Sequence, residues 1–353
     1  MKSHSLSKTT EVIMLDAILN AESEDTLNKQ IISASQKGAK KVVLDFRPVD
    51  HMKNAGANVL VKLTVIAKKN KIKLIANGLS KRYQDIFALT NLNEYIKVPG
   101  NDSGETELLS ATELSELEKI NVKKGKQSDA GWAPRVKRLH VIERPEGAFT
   151  KNMDKRRIVG QLQGFGQMWE KTYWLNIKKP GLKTEDVIKA MQEHFLEFQP
   201  SVNSFYPTSK GIAPGEMIFI DSKTPGGIVS TGVMVLYIDD RSFSFITPHG
   251  HPEAGWITFS VKEQDDSIYA QIQGLVRASD PFFEMAFIIA GSKFQETIWK
   301  HVLSSLAKYL GAEENVQMKK YRPSTDLQWS KFGNLWYNSQ IRSLPLNITR
   351  LFK

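Results

Sequence analysis

Five strand-like runs follow one another between residues 215 and 278, and a long apolar-striped segment comes directly after them. The runs are GEMIFID (215–221), GVMVLYIDD (232–240), SFSFIT (242–247), WITFSVKE (256–263) and IYAQIQGLVRA (268–278). Asp-Asp and Asp-Asp-Ser turns at about ten-residue spacing make this an antiparallel meander. The segment FFEMAFIIAGSKFQETIWKHVLSSLAKYLG (282–311) predicts a closing helix, with Phe294, Ile298, Val302, Leu306 and Leu310 along one face and Gly311 as its stop. Upstream, KTYWLNI (171–177) reads as one more strand, and KTEDVIKAMQEHFLEF (183–198) as a helix that Thr184 can cap. One strand, a helix, a curled sheet and a long last helix form an α+β domain in which the sheet grips the helix. Such domains usually enclose a pocket.

The first hundred residues follow a different rule. EVIML (11–15), KVVLDF (41–46) and LIAN (74–77) are short strand candidates, and EDTLNKQIISASQKGA (24–39) and AGANVLVKLTVIAKKNK (55–71) have helical spacing. Strand and helix in alternation predict a small α/β layer fold. Between the two halves, residues 99–130 are polar and glycine-bearing, with a short helix at ATELSELEKI (111–120). They read as a linker, or as a helix packed on the first domain. The expected division is therefore 1–98, 99–130, 131–318 and a basic, aromatic tail at 319–353.

Composition excludes several function classes. The chain has no cysteine, so disulfides, thiolate metal sites and cysteine nucleophiles are out, in agreement with a reducing compartment. MKSHSLSKTTE lacks the apolar run of a signal peptide, and no window supplies the roughly 18 apolar residues of a membrane span. A soluble, cytoplasmic protein is expected. The net charge of +10 is confined to the ends: residues 1–98 carry 16 basic against 9 acidic side chains, and 319–353 carry 7 against 1. The lysines of the first segment have no aromatic platform between them, which argues against nucleic acid. The tail's basic and aromatic mixture fits either adsorption to a membrane surface or a fold-back over an apolar opening, the second being preferred.

FITPHGHPEAGWITFSV (245–261) holds the densest polar cluster, His249, His251 and Glu253. Three such groups are a minimal zinc set, but the surrounding prolines and glycines break the strand alternation that would align them, so no metal is expected. They are read as a structural turn or as polar contacts at the rim of the pocket. Tyr173, Tyr237, Gln271 and Arg277 are further ligand-binding candidates, because each is a polar group on an otherwise apolar strand. Gln271 alternates with Ile272 and is read as facing outward; Arg277 either meets an acidic head group or is surface. The glycines of GQLQGFGQM (160–168) and SKTPGGIVSTG (222–232) lack the strand and helix flanks of a phosphate loop. No cofactor is called for.

Residues 40–96 carry a resemblance. The strand ending in Leu44-Asp45, the loop closing on Gly56 before a helix, the strand running into Gly78-Leu79, and Leu89-Thr90-Asn91-Leu92 resemble the STAS domain of sulfate transporters and anti-sigma-factor antagonists. The resemblance implies a protein partner. In the family's switch members the loop before the helix carries phosphorylatable hydroxyls; here it reads Lys53-Asn54-Ala55, with no hydroxyl from Met52 to Val61. HPEAGWITFSV (251–261) followed by IYAQIQGLVRASDP (268–281) resembles a bacterial family marked by a His-Pro-Glu-Ala-Gly turn, within the START-like helix-grip (SRPBCC) superfamily of polyketide cyclases and birch-pollen-type allergens. That implies a cavity for an apolar or amphipathic small molecule, not a reaction. The two together imply a regulatory or binding protein; the alternative is an enzyme of the cyclase or hydrolase kind using His249, His251 or Glu253 as acid/base.

Overall fold

The computed structural model describes the backbone of residues 1–99, 108–224, 226–313 and 315–351, and their side chains except 290–292 and 346–351. It divides into two compact units, Met1–Ala130 and Gly131–Lys353.

The first unit contains β1 (Lys2–Ser7), β2 (Thr10–Met14), β3 (Ile18–Leu19), α1 (Ser23–Gln36), β4 (Lys41–Asp45), β5 (His51–Met52), α2 (Asn54–Lys69), β6 (Lys73–Asn77), α3 (Lys81–Leu89), β7 (Ile96–Lys97) and α4 (Ala111–Lys119). Its main sheet has the order β1-β2-β4-β6-β7, antiparallel only at β1 and β2, with β3 and β5 forming a small parallel ladder of their own. Val12, Val43 and Ile75 lie side by side in the parallel register. A parallel sheet needs cover on both faces. Leu109 and Leu117 cover this row together with Leu6.

The stretch read as a polar linker is thus, over residues 108–130, part of the first unit; residues 100–107 lie outside the described residues. Its helix α4 is polar in composition because so few of its side chains need to reach the sheet. Ser110 and Glu113 form a capping box, and the Glu113 carboxylate also accepts from the hydroxyls of Ser7 and Thr10 and from Lys41. After α4 the chain runs beside residues 47–50: Gly125 N–H bonds Arg47 O at 2.7 Å and Ser128 N–H bonds Asp50 O at 2.7 Å. Only glycine fits at 125, where a Cβ would stand 2.1 Å from Val49 O.

The second unit contains β8 (Ile158–Val159), β9 (Met168–Ile177), α5 (Thr184–Glu193), β10 (Asn203–Pro207), β11 (Met217–Thr224), β12 (Gly227–Ile238), β13 (Ser242–Pro248), β14 (Glu253–Gln264), β15 (Ser267–Ala278), α6 (Pro281–Ala286), α7 (Ser292–Leu310), β16 (Val316–Ser324) and α8 (Ser339–Leu351). The meander β10 to β15 is closed by β9, in the order β10-β11-β12-β13-β14-β15-β9-β16, and β8 pairs with β13. All these pairs are antiparallel.

One face of this sheet packs on α5 and α7. Val302, Leu303, Leu306 and Leu310 of α7 and Val187 and Met191 of α5 join Leu175, Val235, Phe245, Phe259 and Ile272 in one core. Of the stripe foreseen at 294, 298, 302, 306 and 310, the last four positions are buried and Phe294 is half-buried. The single helix expected over 282–311 is instead α6, a π-helical turn at Phe287–Gly291, and α7. Asp280 starts α6 by accepting from Phe283 N–H at 3.0 Å, with Pro281 in the first turn where its missing N–H costs nothing. On the opposite face, Trp132 meets Tyr237 and Met153 lies against Gly232. Helix α8 joins them there through Ser343 Oγ, which accepts from Ser230 N–H. No described helix is long and apolar enough to cross a membrane.

Candidate ligand site beside helix α7

Alternation on β9 turns Lys171, Tyr173, Leu175 and Ile177 toward α7, and all four are buried. On β14 the same alternation turns Glu253, Ile257, Phe259 and Val261 that way. Helix α7 lays Gln295 between the two strands. Its amide Nε2 donates to both carboxylate oxygens of Glu253, at 2.8 and 2.9 Å, and its Oε1 accepts from Lys171 Nζ at 2.6 Å. One residue further along α7, Glu296 pairs with Lys320 of β16.

Burial pushes both ionisable members toward neutrality. Loss of water lowers the Lys171 ammonium below its ordinary value, against the opposing pull of Glu253. The same loss raises the Glu253 carboxyl, against Lys171 and the Gln295 amide. Near this chain of groups, the buried Tyr173 hydroxyl and Trp299 indole N–H have no hydrogen-bond partner among the described residues. Burial, then the charges of Glu296 and Glu253, push the Tyr173 hydroxyl far above its ordinary range, so it is a donor at every ordinary pH. A buried donor left unpaired costs about 1–3 kcal/mol, and a ligand acceptor would recover it. Below this polar cluster the space between helix and sheet holds aromatic rings. Phe195 reaches Phe245 and Phe259 at 5.3 Å each, and Phe243 stacks on Phe259 at 4.6 Å.

The two histidines near Glu253 have other employment. His251 accepts the Glu253 N–H on Nδ1 at 3.0 Å, while its own N–H bonds Pro248 O, so it shapes the turn between β13 and β14. Desolvation, partly offset by the backbone contact to Glu253, brings its pKa down to about 4. His249 stacks on Tyr337 with ring centroids 4.1 Å apart, and its Nε2 lies 2.9 Å from Asn334 Oδ1. Burial lowers its pKa, against the Asn334 hydrogen bond and with help from the charges of Arg157, Arg156 and Lys331. Among the described residues no group of three His, Asp or Glu side chains could hold a metal.

The remaining candidates lie elsewhere. Tyr237 donates to Asp239 Oδ2 at 3.0 Å on the face away from α7, because a bulge between Val235 and Tyr237 rotates the strand. Gln271 is half-buried on that outer face, opposite the inward Ala270 and Ile272. Arg277 is buried with its guanidinium on the carbonyls of Gly166 and Asp326, the latter at 2.8 Å, where it ties a loop to the tail. In the first unit Lys53 precedes α2, Asn54 is its buried first residue and Ala55 is half-buried. Gly56 lets the helix approach Leu19, whose carbonyl would sit 2.3 Å from a Cβ.

Sequence reasoning passed over Lys171 and Gln295. Both carried a signal: a lysine in phase with Tyr173, Leu175 and Ile177, and a glutamine three residues before Ile298 on the buried stripe.

Residues 6–103 match the STAS domain, and the first unit contains this domain. No curated protein matches the chain in sequence. Among solved structures, the unphosphorylated anti-sigma factor antagonist SpoIIAA shares 14% identity, covering 34% of this chain and 96% of its own, with a TM-score of 0.25. The di-domain ARO/CYC StfQ from the steffimycin biosynthetic pathway shares 8% identity over 41% of this chain, with a TM-score of 0.31; this chain spans about half of it, 53%. Protein Ms6760 from Mycobacterium smegmatis shares 12% identity, covering 40% of this chain and 90% of its own, with a TM-score of 0.30.

Proposed function

We propose that the chain is a regulatory binding protein. Its STAS domain docks a protein partner without a phosphate switch, and its second unit is a START-like helix-grip domain that takes a small amphipathic molecule. The helix-grip reading is supported by the strand order, in which the first strand closes the meander, and by α7 across the inner face. The docking reading without a switch is supported by Lys53-Asn54-Ala55, which offers a kinase no hydroxyl. The observation that carries the ligand reading is the buried Tyr173 hydroxyl, unpartnered beside the Lys171–Gln295–Glu253 chain. A carboxylate, carbonyl or hydroxyl on the ligand would accept from Tyr173 and be attracted by Lys171. Because phenylalanine rings occupy the interior beneath, the ligand's apolar part is small. Occupancy shifts partner binding only through a difference in ligand affinity between the free and docked states.

Native mass spectrometry of protein purified from its source cell tests this. A bound small molecule that is lost from Tyr173→Phe is the expected result. Protein free of ligand, with Tyr173→Phe indistinguishable from the parent, would remove the small-molecule half of the proposal.

A second reading, an enzyme, draws on one feature: Glu253 and Lys171 are pushed toward neutrality in one hydrogen-bonded chain, as an acid/base pair requires. It predicts turnover that Glu253→Gln abolishes with ligand binding retained.

A further inference from the structure

Large exposed apolar side chains of the second unit gather on two adjoining elements. On α6 and the π turn, Met285, Ile288 and Ile289 are 65, 77 and 77% exposed. On the 3₁₀ turn Trp329–Tyr337, the side chains of Trp329, Phe332 and Trp336 are 67, 50 and 83% exposed. The two elements are neighbours. Asn338, just after the turn, donates to the Asp280 carboxylate that caps α6 at 2.9 Å, and Trp329 packs edge-on against Phe165 at 5.3 Å. Phe165 in turn bonds Ala278 just ahead of α6. Apolar groupings of this kind on a protein surface mark a contact with something.

The charge beside them says what. In sequence the tail around the 3₁₀ turn, residues 326–345, has Lys331 and Arg342 against Asp326. Arg157, whose carbonyl accepts from His249 N–H at 2.8 Å, is exposed; half-buried Lys331 shares the 3₁₀ element with Tyr337, and exposed Arg342 follows it. Arg156 is itself buried, with its guanidinium 5.1 Å from the Tyr337 ring centroid, whereas Arg157, Trp336, Tyr337 and Arg342 are exposed. A second copy of this chain, placed face to face on the same surface, would set these cations against each other. An anionic sheet of headgroups relieves the repulsion and takes tryptophan and isoleucine into its boundary layer.

We propose that this face seats the second unit on a bilayer containing anionic phospholipid, with Trp336, Ile288 and Ile289 entering the headgroup layer and Lys331 and Arg342 against phosphate. The proposal goes beyond the ligand site, which lies on the α7 side of the sheet.

The test is co-sedimentation of the full chain with phosphatidylcholine vesicles, with and without phosphatidylglycerol, read alongside tryptophan emission. Binding and a blue shift confined to the phosphatidylglycerol vesicles are expected, weakening as salt rises. K331Q and R342Q each lower partitioning about fivefold. Trp336→Ser and the double change Ile288→Ser with Ile289→Ser lower it further, with circular dichroism unchanged because these side chains are exposed. Absence of binding, equal binding to the two vesicle types, or a protein dimer in sedimentation equilibrium that Trp336→Ser dissociates would each overturn the proposal.

Discussion

Tyr337 covers the turn that carries His249: the two rings stack at 4.1 Å, and the Tyr337 carbonyl occupies the place where a side chain at position 250 would be. The Pro/Gly-rich stretch 248–255 is therefore a seat for the C-terminal tail. Ser339 N–H bonds Gly250 O at 2.9 Å, and Asn334 donates to the carbonyls of Gln163 and Ser279 at 3.0 and 2.7 Å. Amide side chains thus hold the tail in place.

Gly250→Ala should unseat the tail. The residue has a φ of +97°, and an added Cβ would stand 2.0 Å from Tyr337 O. Both the left-handed backbone and the clash oppose it, at a cost of about 2–4 kcal/mol. All seven tryptophans belong to the second unit, so urea unfolding followed by tryptophan emission reads this unit alone. Limited proteolysis should cut within 326–343 in the variant and spare the parent; equal resistance in both would mean the seat is not what holds the tail.

Much of the architecture was legible and some was not, for identifiable reasons. The run read as 268–278 is β15, Ser267–Ala278, because it alternates from Ile268 to Gly274 before becoming buried throughout. β1 was missed because it is a serine-rich, mostly exposed edge strand, and β16 because its lysines face solvent. Tyr237 looked like a cavity residue, but a bulge that leaves no mark in composition turned it to the other face. Arg277 could be a surface charge or a ligand group by its position alone. Its partners, Gly166 and Asp326, come from distant parts of the chain, and no local pattern reports them.

Tyr173→Phe should stabilise the ligand-free protein by about 1 kcal/mol, since it deletes a buried hydroxyl that has no partner and leaves the ring packing unchanged. Gln295→Leu should do the reverse. It strands both Glu253 carboxylate oxygens and the Lys171 contact, a loss of about 2 kcal/mol. Opposite signs in tryptophan-detected urea midpoints, with unchanged slopes, are the expected pair.

His251 gives the second unit a pH dependence whose sign is fixed. Desolvation holds its folded pKa down at about 4, against an unfolded value of about 6.5. Between these values the unfolded chain binds the extra proton, so stability is complete above pH about 6.5 and falls as pH drops toward 4. The ring keeps some solvent contact, and the loss is discounted to about 2 kcal/mol. His251→Asn preserves an acceptor for the Glu253 N–H and does not titrate. Its urea midpoint should change less over this window than the parent's; parallel curves would assign the dependence to another group.

Glu113 gives the first unit a dependence in a lower window. Burial pushes its carboxyl up, but hydrogen bonds from Thr10, Ser110 N–H, Lys41 and Ser7 together outweigh burial and hold it at about 2. A depressed carboxylate stabilises the fold at pH above its unfolded value of about 4.3, and the contribution disappears as pH falls toward 2. Discounted for screening by solvent, it amounts to about 2 kcal/mol. Since no tryptophan lies in this unit, amide hydrogen exchange is the probe. Helix α4 and the facing strand β2 should lose protection between pH 4.3 and 2 in the parent, and Glu113→Gln should show that weakened protection already at pH 7. Protection of α4 in Glu113→Gln equal to the parent's at pH 7 would mean that the two buried leucines alone fasten this helix to the sheet.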